Sequence, residues 1–207
     1  MTEGEEAYNP AELILASASL SRRRMLRQAG IPCLCEAANI DEAAVKENMR
    51  GKGAAPEKIS EQLAKDKAFA VSQKHPDKII LGADQILVCD GKLFDKPHNL
   101  PEALEHLRFF RGKSHCLYTS YALVKRQELL VCETVQPCLT MRNFSEEFLQ
   151  DYVKKTGDKL LSSVGCYLLE DLGPQLFSDI KGDYFAILGL PLLHVMANLR
   201  KLTVLKI

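Results

Sequence analysis

The run Ile79-Ile80-Leu81-Gly82-Ala83-Asp84-Gln85-Ile86-Leu87-Val88 is the strongest strand signal in the chain, and a single carboxylate, Asp84, interrupts it. An ionised side chain with apolar residues on both sides needs a partner, and a metal ion or a basic cluster is the usual one. Gly82 and Ala83 keep the approach narrow, so a ligand can come close to the backbone. The competing reading is an aspartate at a strand end, turned to solvent.

Strand and helix patterns alternate on either side of this run. Strands are expected at 13–16, 33–37, 116–124, 129–141 and 163–169, the fourth and fifth of these six strands forming a hairpin that turns near residues 125–127. Helices are expected at 22–29, from Pro56 onward, at 104–110, at 148–153 and from Pro191 onward, where Leu192, Leu193, Met196 and Leu199 share a face. Residues 49–55, with two glycines, read as a flexible loop. The class is α/β with a mixed sheet. Residues 1–10 are expected to be a disordered tail and 11–207 a single domain, with no internal repeat and no linker. In the helix after Pro56, Ile59, Leu63, Lys67 and Val71 fall on one stripe at steps of four. Lys67 therefore lies on the inward-facing line, an expensive position for a charge without a partner.

The segment Leu-Ala-Ser-Ala-Ser-Leu-Ser-Arg-Arg-Arg, from Leu15 to Arg24, joins the first strand to the first helix. A helix N-terminus carries unpaired N–H groups and partial positive charge, so basic residues there are misplaced by a few tenths of a kcal/mol each. Three successive arginines make sense if an anion sits over the helix end, held by backbone, serine hydroxyls and guanidinium groups together. The plainer alternative is Ser19 or Ser21 as an N-cap, with Arg22, Arg23 and Arg24 splayed into solvent.

Lysine plus arginine equals aspartate plus glutamate, 27 against 27, so any basic function must be a local cluster. That balance disfavours a nucleic-acid-binding module built on Arg22–Arg24. The seven cysteines (Cys33, Cys35, Cys89, Cys116, Cys132, Cys138 and Cys166) are odd in number, without zinc spacing, and mostly inside apolar runs. They are expected to be reduced and largely buried, in a soluble intracellular protein. The acidic start (Glu3, Glu5, Glu6) is unlike a signal peptide, and the longest apolar stretch, 184–193, is too short to span a bilayer. The histidines show no metal-like pairing, and no nucleophile elbow is present. Asp84 and the Asp41-Glu42 pair offer oxygens to a hard divalent cation, and arginine and lysine offer donors to phosphate oxygens. Together these are the groups required for metal-assisted attack on a phosphoanhydride.

These segments in their order resemble the Maf family of nucleoside triphosphate pyrophosphatases, from about Glu12 to Arg200. Ser-x-Ser-x-x-Arg is present as Ser17, Ser19 and Arg22, the acidic pair as Asp41-Glu42, and Leu-Ala-x-x-Lys-Ala as Leu63, Ala64, Lys67 and Ala68. Gly82-Ala83-Asp84, Lys96-Pro97, Tyr118-Thr119, Gly182-Asp183-Tyr184 and Gly189-Leu190-Pro191-Leu192 complete the pattern. Two positions depart from it: Leu20 stands for a usual proline and Gln62 for a common arginine. The resemblance implies an elongated α/β fold with a mixed sheet, helices on its faces and a cleft between two lobes, related to inosine triphosphatases. It implies cleavage between the α and β phosphates, a divalent cation (Mg2+ or Mn2+), and a cytoplasmic homodimer with no nucleic-acid or membrane partner.

Carried over by position, Asp84 is the principal catalytic carboxylate, as metal ligand or as base, and Glu42 assists at the metal. Lys67 and Lys96, also catalytic, neutralise phosphate charge with Arg22, and Ser17 and Ser19 bind substrate. Gln85 and Glu170 stand where the family selects its base, and both resemble the branch that acts on 7-methyl-GTP. A carboxylate at Glu170 accepts from a guanine's N1–H and amino group and suits a positively charged methylated purine, but cannot donate to a pyrimidine carbonyl. A nucleotide-sensing regulator of cell division without turnover is the alternative from another functional class.

Overall fold

The computed structural model describes residues 12–206. They build an eight-stranded mixed sheet with helices on its faces. Its axis is a pair of long antiparallel strands, β3 (Ile79–Cys89) and β5 (Ser114–Lys125), paired from Ile80↔Val124 to Cys89↔His115. The other edge of β3 is shared. The short strand β1 (Leu13–Leu15) runs parallel to residues 79–81, and β4 (Lys92–Phe94) runs antiparallel to residues 87–89. No described strand pairs with residues 82–86 on that edge, and Asp84 sits at the centre of the gap. Beyond β1 lies β2 (Leu34–Cys35); beyond β5 lie β6 (Glu128–Val135) and β7 (Cys138–Met141), and β8 (Phe177–Lys181) closes the order.

Side chains alternate faces along a strand, so Ile80, Gly82 and Asp84 share one face of β3 while Leu81, Ala83 and Gln85 share the other. The first face is covered by α3 (Pro56–Ser72), through Ala64, Ala68 and Val71 packed with Ile80, Ala122 and Val124. The second is covered by α1 (Leu20–Gln28) and α7 (Leu192–Lys201), whose Leu26, Val195 and Leu199 pack with Leu13, Leu81, Tyr121 and Leu123. A separate core at the other end of the sheet joins α4 (Leu100–Phe110) and α5 (Glu146–Thr156) to Leu87, Leu117, Leu139 and Phe177. Gly82 is what lets α3 lie so close, because a Cβ there would stand 2.1 Å from the carbonyl oxygen of Ala64.

Several sequence expectations need correction. The expected loop at 49–55 is in part helix: α2 (Glu42–Gly51) starts at Asp41, whose carboxylate caps the amide of Ala44 at 2.9 Å. The expected strand at 163–169 is a series of turns, because Cys166 takes a left-handed φ of 57° that breaks any extended run. The long second arm of the hairpin is two strands, parted at Gln136-Pro137, where the proline has no N–H to give to a ladder. On α7, Leu193 is exposed, and the buried stripe is Leu192, Val195, Asn198 and Leu199. Cys116 and Cys138 form a disulfide because β5 and β7 set them directly opposite each other, 4.1 Å apart at Cα. Of the other cysteines, Cys89 and Cys166 are buried and Cys35 is exposed. The expected tail at 1–10 lies outside the described residues. No described helix is long and apolar enough to cross a membrane.

His115, buried within β5, bonds through Nε2 to the Tyr167 hydroxyl at 2.8 Å, and burial pushes its pKa down to about 4. Between pH 6.5 and 4 the unfolded chain binds a proton here that the native fold refuses, so stability falls as pH drops through that window. The loss is about 3 kcal/mol. Denaturation midpoints followed from pH 7 to 4 are expected to decline less steeply in His115→Gln than in the parent, and equal slopes would contradict this assignment.

Candidate active site

The nine residues given catalytic or substrate-binding roles from the sequence all border one cavity of about 520 Å³, which reaches Asp84 and Gln85 on the unpaired stretch of β3. Ser17, Ser19 and Arg22 come from the turn between β1 and α1. Glu42 comes from the first turn of α2, Lys67 from α3, Asp84 and Gln85 from β3, and Lys96 from the connection between β4 and α4. Glu170 belongs to the irregular segment after α5.

At the floor of the cavity the Lys67 ammonium lies between two carboxylates, 2.7 Å from Asp84 Oδ1 and 2.8 Å from Glu42 Oε1. The inward stripe of α3 thus delivers a lysine to the aspartate within the apolar strand, and each supplies the partner the other needs. Asp84 is 5% exposed, and its second oxygen, Oδ2, is buried with no hydrogen-bond partner among the described residues. Burial would raise the pKa of Glu42, but Lys67, with smaller help from Lys46 and Arg22, brings it below the ordinary carboxylate value. The adjacent acids divide their labour: Asp41 caps α2, while Glu42 turns into the cavity.

At the turn before α1 both readings of the serine–arginine segment hold in part. Ser19 is the N-cap, accepting from the Arg22 amide at 3.4 Å, and Ser17 Oγ accepts from the Ser19 amide at 3.2 Å. Of the three arginines only Arg22 turns inward. Arg23 and Arg24 are exposed, because each step along a helix rotates the side chain by about 100°. Arg22 donates from Nε to the Gly189 carbonyl at 2.8 Å and from Nη1 to Ser17 Oγ at 3.2 Å. Burial lowers its pKa, opposed by the charges of Asp84 and Glu42. Lys96 has no carboxylate within ion-pair distance among the described residues. Loss of water around its ammonium, then repulsion from Arg22 and Lys67, lowers its pKa.

Gln85 departs from the expectation of a base-reading group. Its amide nitrogen donates to Thr119 Oγ1 at 2.9 Å and to the carbonyl of Ala186 at 2.8 Å, in α6 (Tyr184–Ile187), so its donors brace protein. Glu170 is exposed, and it also borders a neighbouring, more apolar cavity of about 290 Å³. Two charged lining residues were missed from sequence: Lys46 and Asp95, which pair with each other at the cavity wall. Lys46 stands four residues after Glu42 on α2, so the signal was the helix itself.

Among the described residues no group of three or more His, Cys, Asp and Glu side chains gathers as a metal cage. A small hard cation asks for less: it uses one or two carboxylates, keeps several waters and takes phosphate oxygens from the substrate. Asp84, with its free Oδ2, and Glu42 fit that demand.

The sequence pattern of the family described as "Maf-like protein" matches residues 12–202. A nucleoside triphosphate pyrophosphatase of Granulibacter bethesdensis is 48% identical over 190 residues, covering 92% of this chain and 96% of its own. A protein with the same description from Paramagnetospirillum magneticum is 45% identical over 188 residues, covering 91% and 97%. A 7-methyl-GTP pyrophosphatase of Rhizobium meliloti is 40% identical over 190 residues, covering 92% and 96%.

Proposed function

This chain belongs to the Maf-like protein family, and we propose that its cavity hydrolyses nucleoside triphosphates at the α–β phosphoanhydride, giving a monophosphate and pyrophosphate. The observation that carries the reading is Lys67 held between Asp84 and Glu42, with one buried Asp84 oxygen left unpartnered. In the reaction a water oxygen bonds to phosphorus, the bridging oxygen leaves with pyrophosphate, and negative charge grows on the departing group. Asp84 offers Oδ2 to the reacting centre, Lys67 fixes both carboxylates, and Arg22 and Lys96 counter the growing charge. Ser17 and the amides at the start of α1 complete the cradle for phosphate oxygens. A divalent cation, magnesium or manganese, held by Asp84 and Glu42 would draw charge from the phosphates and ease deprotonation of the attacking water.

The same reading includes a preference for 7-methyl-GTP. Glu170 supports it as an exposed carboxylate at the cavity wall, able to accept from guanine donors and to offset the charge of the methylated ring. Gln85, its donors spent, acts through the α6 backbone it braces. A cytoplasmic homodimer belongs to the reading too; the exposed apolar side chains of Leu20, Tyr184 and Leu193 offer surface for a second copy.

The test is a panel of 7-methyl-GTP, GTP, dTTP and UTP, each with magnesium and with manganese. The highest kcat/KM is expected for 7-methyl-GTP, by about tenfold over the pyrimidines, the worth of 1.4 kcal/mol of discrimination. Faster pyrimidine turnover would end the base preference. Binding without turnover of any nucleotide would end the hydrolase reading in favour of a sensor.

A further inference from the structure

The cavity holds four cations, and they are tied down unequally. Lys67 is locked between two buried or half-buried acids, and Arg22 is pinned to a backbone carbonyl and to Ser17. Among the described residues, Lys96 has no carboxylate within ion-pair distance. Lys46 is different again: its ammonium pairs with Asp95, whose side chain is 59% exposed, while its own is 22% exposed. The pair joins α2 to the residue just before Lys96, at the cavity wall. Lys46 therefore projects from the same helix face as Glu42, one turn further along α2.

An ion pair with an exposed acid is worth at most about 1 kcal/mol, so it is easily exchanged. A chain of phosphates brings several charged oxygens to the same place, and charge-assisted bonds to them are the stronger ones. Asp95 is also an acid facing a space meant for a polyanion, where it opposes the ligand unless its charge is answered. We propose that Asp95 holds Lys46 in place as a stand-in for phosphate, and that Lys46 changes partner when a triphosphate enters, gripping the pyrophosphate end of the substrate. The proposal rests on the reading that the cavity takes a triphosphate. It adds a binding residue and an internal competitor that the family motifs do not include.

The test uses inorganic pyrophosphate and nucleoside monophosphate as separate probes on the full chain, with dissociation constants from calorimetry in magnesium. Lys46→Gln is expected to weaken pyrophosphate binding about tenfold and to leave monophosphate binding unchanged. Asp95→Asn is expected to act in the opposite direction, tightening pyrophosphate about threefold, because it frees the lysine and removes a repelling charge. A bridge that merely clamps α2 to the β4–α4 connection is broken equally by both substitutions, so shifts of the same sign would overturn the proposal. No shift in either variant, or no binding of pyrophosphate by the parent, would overturn it as well. Opposed shifts in a protein that hydrolyses no nucleotide would sustain this exchange and reject the hydrolase reading. Hydrolysis without opposed shifts would do the reverse.

Discussion

Replacing Asp84 by asparagine is expected to lower nucleotide turnover by about a thousandfold or more, while leaving the protein folded and nucleotide binding within a few-fold of the parent. The magnitude is that of losing one preorganised electrostatic group at a reacting phosphate, compounded by a weakened hold on the divalent cation. The fold survives for a local reason. Asparagine has the shape of aspartate, its carbonyl still accepts from Lys67, and Lys67 keeps Glu42 at 2.8 Å. The comparison is kcat for both proteins beside calorimetry with an α,β-methylene triphosphate, which binds but is not cut. Turnover equal to the parent's would remove Asp84 from the chemistry. A parallel loss of binding and turnover would make it a substrate anchor.

Gly82→Ala is expected to destabilise the fold by about 3 kcal/mol or more and to lower activity along with it. The added Cβ would lie 2.1 Å from the Ala64 carbonyl oxygen and 2.8 Å from the Ala68 amide nitrogen, so it meets backbone and not the end of a yielding side chain. Overpacking of a close-packed core costs about 1–3 kcal/mol where side chains can shift, and more where a helix must. Lys67 lies on the turn of α3 between those two alanines, so moving the helix withdraws the ammonium from Asp84. Chemical denaturation gives the first effect, and kcat on the fraction still folded gives the second. A midpoint within experimental error of the parent's would show that α3 does not depend on this glycine.

How much of this was legible in the sequence differs from element to element for physical reasons. β3 was plain because its residues are buried on both faces, which leaves a continuous apolar run with one charge to explain. Lys67 was plain because an amphipathic helix exposes any charge placed on its apolar stripe. α2 was hidden because none of its residues is fully buried: its apolar face is the single pair Val45 and Met49, one turn apart and only partly covered, and the glycines that follow Arg50 look like loop. β8 was hidden for a similar reason: after Phe177 its residues are all exposed, and an edge strand of that kind has no alternation to read. The missing α2 explains the missing Lys46, since the i,i+4 relation to Glu42 has meaning only on a helix.

The Cys116–Cys138 bond follows from strand register, which spacing in the chain does not encode. In the site itself, the serines, Arg22, Glu42 and Asp84 were found by residue type and order. What sequence could not supply was how they are shared. Two of the three arginines face away, Asp41 is a cap, and the Gln85 amide is already bonded to protein.

The central claim is that a cavity holding Asp84, Glu42 and Lys67 cuts a triphosphate between its α and β phosphorus atoms. The most direct measurement is the 31P spectrum of the products when the protein is mixed with 7-methyl-GTP and magnesium, run beside Asp84→Asn. Signals of nucleoside monophosphate and pyrophosphate in equal amounts, absent on the same timescale with the variant, are the predicted result. Nucleoside diphosphate with orthophosphate, or the same products at the same rate from Asp84→Asn, would contradict it.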